Sequence, residues 1–255
     1  MLWGVLLAGV AVAQATFTLD LVITVYDESL DWLNDLEARL PATIIVAHCY
    51  IYSKVPHPEL PFVRFPIEVQ VTRNVGREGL GHLLFLASTH LVSDLVLFCQ
   101  GGPHLTDLTV IEYTLAHYPF QFVPSTAMFM SLADQSIRCI GRHNGQAHGY
   151  LFKPHLDDLL PATCHAFNLT LQELCWMYFG EFIVNRAALY GFRDLYRARV
   201  KSILLPALQM SNDPPMGHVL ERLWLALFTA SGSTAVESPT WISRSWFRIQ
   251  KFLHR

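Results

Sequence analysis

The chain has 255 residues, of which 52% are hydrophobic and only 15% charged, a composition that buries a large core and excludes a disordered chain. A single domain of this size hides roughly three quarters of its unfolded surface, so neither disulfides nor metals are needed to hold the fold. Formal net charge is −3 with 12 histidines left neutral, and no long Lys/Arg run occurs, which argues against a nucleic-acid partner; acidification charges the histidines and turns the chain net positive.

Residues 1–13, MLWGVLLAGVAVA, carry no charged side chain and lead into Gln14, Ala15 and Thr16. The apolar run is shorter than the ~20 residues of a membrane-spanning helix. Ala11-Val12-Ala13 or Ala13-Gln14-Ala15 supplies a small-residue cleavage pattern, so residues 1–15 read as a signal peptide, or else as a short anchor or a buried first strand. A signal peptide directs the chain to the secretory pathway, as a secreted or ER/Golgi-lumenal glycoprotein, where Asn168-Leu169-Thr170 is a usable glycosylation acceptor.

Residues 19–26 (LDLVITVY) form a β-branched run, and residues 29–40 then place Leu30, Leu33, Leu36 and Leu40 on one helical face. Strands follow at 43–49 and 68–72, a helix at 78–91 and a buried strand at 94–100. Strands alternating with helices predict an α/β fold: a Rossmann-like, mostly parallel sheet with flanking helices, occupying residues 18–232. Ligands of such sheets bind beyond the carboxyl ends of the strands, which directs attention to Tyr26-Asp27-Glu28, to the segment from Arg73 to Glu78, and to the segment from Gln100 to His104.

The stretch 119–166 is less regular and reads as loops and short strands bearing His143, His148, His155 and His165. The C-terminal third is helical, with helices expected at 193–208 and 216–230. Residues 240–255 set Ile242, Trp246, Ile249 and Leu253 opposite Arg244, Arg248, Lys251 and Arg255, a basic amphipathic helix suited either to a membrane surface or to docking on its own domain. Among the five cysteines, Cys49 and Cys99 end apolar runs and read as buried thiols, whereas Cys164 and Cys175 are expected to be able to pair across a loop.

Three segments can carry chemistry. In VTRNVGREGLGHLLF, Gly76 permits a sharp turn, the amides opening the next helix suit a phosphate, and Arg77 adds a fork of donors; an ordinary strand-to-helix turn accounts for the same spacing. Glu78 can cap that helix or pair with Arg73 or Arg77. Tyr26 offers a ring on which a base can stack, with Asp27 and Glu28 as acceptors for base or ribose, unless Asp27 or Ser29 serves to cap the next helix. Gln100, Gly101 and His104 can touch a ligand or form a glycine turn. Glu221, and equally Glu181, can serve as a general base or as an ion-paired residue.

These segments together resemble a family known as domain of unknown function 3431, over about residues 20–230. The resemblance rests on Tyr26-Asp27-Glu28 with Trp32-Leu33, Ile51-Tyr52-Ser53-Lys54, Asn74-Val75-Gly76-Arg77-Glu78, Leu97-Phe98-Cys99-Gln100-Gly101, Phe182-Ile183-Val184 with Arg186, and Glu221-Arg222-Leu223-Trp224 with Phe228. The Asn-x-Gly-Arg-acidic turn and the Glu-Arg-Leu helix are also similar to those of rhamnan-type and capsular sugar transferases of the glycosyltransferase A fold.

That resemblance implies a nucleotide-sugar donor and a hydroxyl acceptor, with Tyr26, Asp27 and Glu28 at the nucleoside, Arg73, Asn74, Gly76 and Arg77 at the phosphates or in the crevice wall, and Gln100 and His104 at the sugar. Asp27 replaces the family's usual Asn, and Gly102 stands where an acidic residue often follows Gln-Gly. A manganese or magnesium ion stays open as a cofactor, but the two aspartates that would hold it are absent, so no metal ligands are assigned. The alternative is a non-catalytic secreted or lumenal module that keeps the fold and binds a glycan or protein.

Overall fold

The structure, a computed structural model, describes residues 16–90, 92–102, 108–117, 126–132, 138–139, 158–170, 174–176, 181–211 and 215–236. The leader at 1–15, His104, His143, His148, His155 and the C-terminal segment 240–255 lie outside the described residues.

In chain order the elements are β1 (Phe17–Val25), α1 (Trp32–Arg39), β2 (Ile44–Ser53), β3 (Ile67–Val71), α2 (Arg77–Ala87), β4 (Leu95–Gln100) and α3 (Leu108–His117). They continue with β5 (Met128–Ser131), β6 (Arg138–Cys139), α4 (Leu159–Ala166), β7 (Cys175–Trp176), β8 (Phe182–Asn185), α5 (Arg186–Arg199), α6 (Leu205–Leu208), α7 (Pro215–Ala230) and β9 (Thr234–Val236). Between α5 and α6 the helix widens into a π turn, Val200–Leu204. Pro206 lies just beyond, and its ring would clash with a carbonyl one regular turn earlier, a conflict that the wider turn relieves.

The expected α/β class is what the chain adopts, but the sheet is mixed. Its order is β3-β2-β1-β4-β8-β5-β9; β1, β2, β3 and β4 run parallel, while β8 runs antiparallel to both β4 and β5. The C-terminal third is therefore not purely helical, since it contributes β8 and β9. Strand order reverses between β1 and β4, which makes their carboxyl ends the topological switch point where open α/β sheets bind ligands.

Both faces of the sheet are covered, which is why the central strands are nearly continuous in apolar residues. Along β1, Leu19, Leu21, Ile23 and Val25 face one core with Leu33 and Leu36 of α1 and Ile111 and Leu115 of α3. Val22 faces the other, with Phe98, Phe129 and Phe182 packed against Phe85 of α2, Phe192 of α5 and Trp224 and Phe228 of α7. The Phe98 and Phe182 rings stack at 4.6 Å.

One sequence expectation is corrected. Cys164 is a free, buried thiol in α4, so it does not pair with Cys175. Cys49 and Cys99 are free and buried as expected.

Candidate functional site

The switch point is stitched together by backbone and side-chain bonds. Gly101 N–H continues β4 by donating to Thr24 O at 2.8 Å, and the Trp32 indole N–H donates to Gly101 O at 2.7 Å. Tyr26 N–H donates to Glu28 Oε2 at 2.7 Å, which folds the chain back on itself after β1. A Cβ at position 101 would stand 2.9 Å from that same carboxylate oxygen, so glycine is what lets Glu28 lie against the end of β4. Asp27 is exposed and Tyr26 half-buried.

Lys54, which follows β2, joins the next two segments. Its N–H donates to Val25 O at 2.8 Å, its ammonium donates to Val75 O at 2.6 Å, and the same nitrogen stands 5.9 Å from the centre of the Tyr26 ring, a cation–π distance. The side chain is buried. That burial pushes the ammonium down to about 8, and the negative charge of Glu78 opposes the shift. The sequence had given Lys54 no role; a single cation closing the apolar run IIVAHCYIYS was the signal.

The turn between β3 and α2 holds Arg73 and Asn74, both exposed, then Gly76 with φ 76 and Arg77 with φ 50. Gly76 N–H donates to Ser211 O at 2.9 Å, and a Cβ there would meet Leu80 Cβ at 2.8 Å and Leu208 O at 3.1 Å. Glycine is thus required for packing on α6 as well as for the left-handed backbone. Its amide is committed to Ser211 in this conformation.

Arg77 reaches across to α7. Its guanidinium is 3.4 Å from Glu221 Oε1, 3.6 Å from Glu78 Oε2 and 3.0 Å from His218 Nδ1. His218 Nδ1 is in turn 4.0 Å from Glu221 Oε1. A helical i, i+3 spacing on α7 therefore sets His218 and Glu221 on the same cation, and His218 is a second residue that sequence reasoning missed.

Glu181 reaches the end of β4 by an unexpected route. Because β8 runs antiparallel to β4, its first residues lie beside the last residues of β4, and Gln100 Nε2 donates to Glu181 Oε1 at 3.1 Å. Glu181 is buried and Gln100 half-buried. Asn168 lies elsewhere, exposed just after α4 with φ 55.

Tyr26, Glu28, Lys54, Arg77, Glu78, Gln100, Gly101, Glu181 and Glu221 are thus linked around the carboxyl ends of β1 to β4 by a chain of contacts. Chemically the arrangement offers two cations, an aromatic ring and an amide next to several carboxylates. No cluster of three or more His, Cys, Asp or Glu able to hold a metal ion occurs among the described residues, and none of their helices is long and apolar enough to cross a membrane. In comparisons with known proteins, no family model matches the chain, no curated protein is significantly similar to it, and no solved structure matches its fold.

Proposed function

We propose that the chain is a glycosyltransferase-A-like member of the resembled family, working in the secretory pathway, where it moves a sugar from a nucleotide-sugar donor to an acceptor hydroxyl. The observation that carries this reading is the meeting of Tyr26, Lys54 and the Arg77 turn at the topological switch point, joined through Lys54. A base stacks on Tyr26, ribose hydroxyls donate to Asp27 or Glu28, and a diphosphate draws on Lys54 and Arg77.

In that scheme Arg77 exchanges partners. Bound diphosphate oxygens take over the guanidinium that now faces Glu221, and the released Glu221 carboxylate accepts the proton of the acceptor hydroxyl. The acceptor oxygen bonds to the anomeric carbon as the bond from that carbon to the diphosphate oxygen breaks, and its electron pair leaves on the diphosphate. The leaving charge is balanced by Lys54 and Arg77.

The residues that end β4 lack the aspartate pair that would present a divalent cation to a diphosphate. Gln100, Gly101 and Gly102 supply no carboxylate pair, whereas manganese and magnesium favour carboxylate oxygens. The same observation favours a second reading, a non-catalytic secreted or lumenal protein that uses the crevice to bind a glycan or protein.

Thermal melts of the full chain against nucleoside diphosphates and nucleotide sugars, with and without manganese, separate the two. A ligand at 100 times its Kd stabilises by about 2.7 kcal/mol, which raises Tm by roughly 5–10 °C in a domain of this size. No shift with any nucleotide supports the binding-module reading instead.

A further inference from the structure

Of the five cysteines, three sit as free thiols in the cores: Cys49 in β2, Cys99 in β4 and Cys164 in α4. Burial pushes all three thiols up, which suppresses the thiolate that thiol–disulfide exchange requires. The other two meet in the small two-stranded sheet. The antiparallel register of β6 and β7 sets Cys139 directly opposite Cys175, with Arg138 opposite Trp176 on the neighbouring rung.

Directly opposed residues of an antiparallel ladder have Cα atoms about 4.5 or 5.5 Å apart, depending on whether the rung is hydrogen-bonded. Either separation lies within the ~4.4–6.8 Å that a disulfide spans. A slip of one residue would set Cys139 against Leu174 or Trp176, so the pairing is a property of this register. We propose that Cys139 and Cys175 form an intramolecular disulfide that fastens β6 to β7.

The reaction is an oxidation by exchange. Each thiol gives up its proton, one S–S bond forms, and the two electrons pass to a donor disulfide, of a small thiol or of an oxidoreductase, which leaves as two thiols. The bond closes a loop of roughly 35 residues, large enough for a substantial restriction of the unfolded chain. It also anchors the stretch that packs on α7 and then leads to Glu181 and β8.

The test equilibrates the full chain in a glutathione buffer poised at about −180 to −210 mV, as in the ER lumen. The sample is alkylated under denaturing conditions without reductant, digested and mapped by mass spectrometry. The expected result is one cross-linked peptide pair containing Cys139 and Cys175, separated by reductant, with Cys49, Cys99 and Cys164 alkylated. Alkylation of Cys139 and Cys175, or linkage of either to another cysteine, overturns the proposal.

As a second readout, reduction of the wild type should lower Tm by roughly 5–15 °C. A Cys139→Ala/Cys175→Ala variant should start near the lowered value and respond no further to reductant. A variant that still loses Tm on reduction counts against the pair. If the double variant does not fold, the peptide map of the wild type still decides.

Discussion

Arg77, at the first position of α2, and Glu221, on α7, stand 3.4 Å apart, with 33% and 17% of their side chains exposed. The pair bridges two helices on the same face of the sheet and ties a candidate phosphate contact to a candidate base. Partly exposed pairs of this kind are worth little as stabilisers, about 0–1 kcal/mol. Arg77→Ala should therefore unfold in urea within about 1 kcal/mol of the wild type while losing the thermal shift given by a nucleotide diphosphate. Glu221→Gln should keep that shift and lose turnover of a nucleotide sugar. Loss of binding in Glu221→Gln would contradict its assignment as base.

Lys54 gives the ligand affinity a pH signature. With its ammonium titrating at about 8, an anionic ligand meets a charged side chain at pH 7 and a neutral one at pH 9 or above. Isothermal titration should show affinity for a nucleoside diphosphate falling as pH rises through 8. Lys54→Met should bind more weakly at pH 7 and lose that dependence. An unchanged profile in the variant would remove Lys54 from the site.

Two glycines of α2 should respond in opposite directions to the same substitution. A Cβ at Gly79 finds Leu220 at 3.4 Å, an ordinary contact, so Gly79→Ala should stabilise by about 0.5–1 kcal/mol through helix propensity. A Cβ at Gly81 collides with the Thr24 hydroxyl and comes within 2.9 Å of Tyr52 Cβ. Gly81→Ala should destabilise by about 1–3 kcal/mol as α2 is pushed off the sheet. Paired denaturant melts read both.

His82 is fully buried between Phe98 and Phe182, and burial lowers its ring to about 4. The unfolded chain binds that proton near 6.5, so between about 6.5 and 4 the unfolded state holds more protons and stability falls as pH falls. The full effect is about 3 kcal/mol. His82→Leu should lose that much less stability than the wild type between those limits; parallel slopes would show that the ring is not buried in its neutral form.

Arg193 of α5 caps the far end of α2. Its guanidinium donates to Phe85 O at 3.1 Å and Leu86 O at 3.3 Å, carbonyls of the last turn that a helix end leaves without intrahelical partners, and to His90 O at 2.8 Å just beyond the helix. Arg193→Met should cost about 2–3 kcal/mol because Leu86 O and His90 O lose this donor, whereas Phe85 O keeps the Ser88 N–H and hydroxyl. Urea melts of this variant and of Arg193→Lys, which carries one donor group, should rank wild type above Lys above Met.

The elements from β1 to β4 are legible in the sequence because each carries a local signal: a β-branched run in β1, leucines spaced by turns of α1, an unbroken apolar run in β4. What was not legible depends on direction and distance. Nothing in Phe182-Ile183-Val184-Asn185 reveals that this strand runs against β4, and that reversal is what brings Glu181, a residue before a strand, to a crevice expected to collect residues after strands. Lys54 and His218 gain their neighbours only through the packing of β2 on β1 and of α7 on α2. The Cys164–Cys175 expectation failed because spacing in sequence carries no information about which α4 face enters the core.

α2 is held at both extremities. Arg193 and Arg197 take the carbonyls at one, with Arg197 Nε donating to Ala87 O at 2.9 Å, and the Gly76 amide is fastened to Ser211 at the other. A helix tied down at both ends resists tilting as a body, so the turn bearing Arg77 should keep its place on the sheet when neighbouring loops shift.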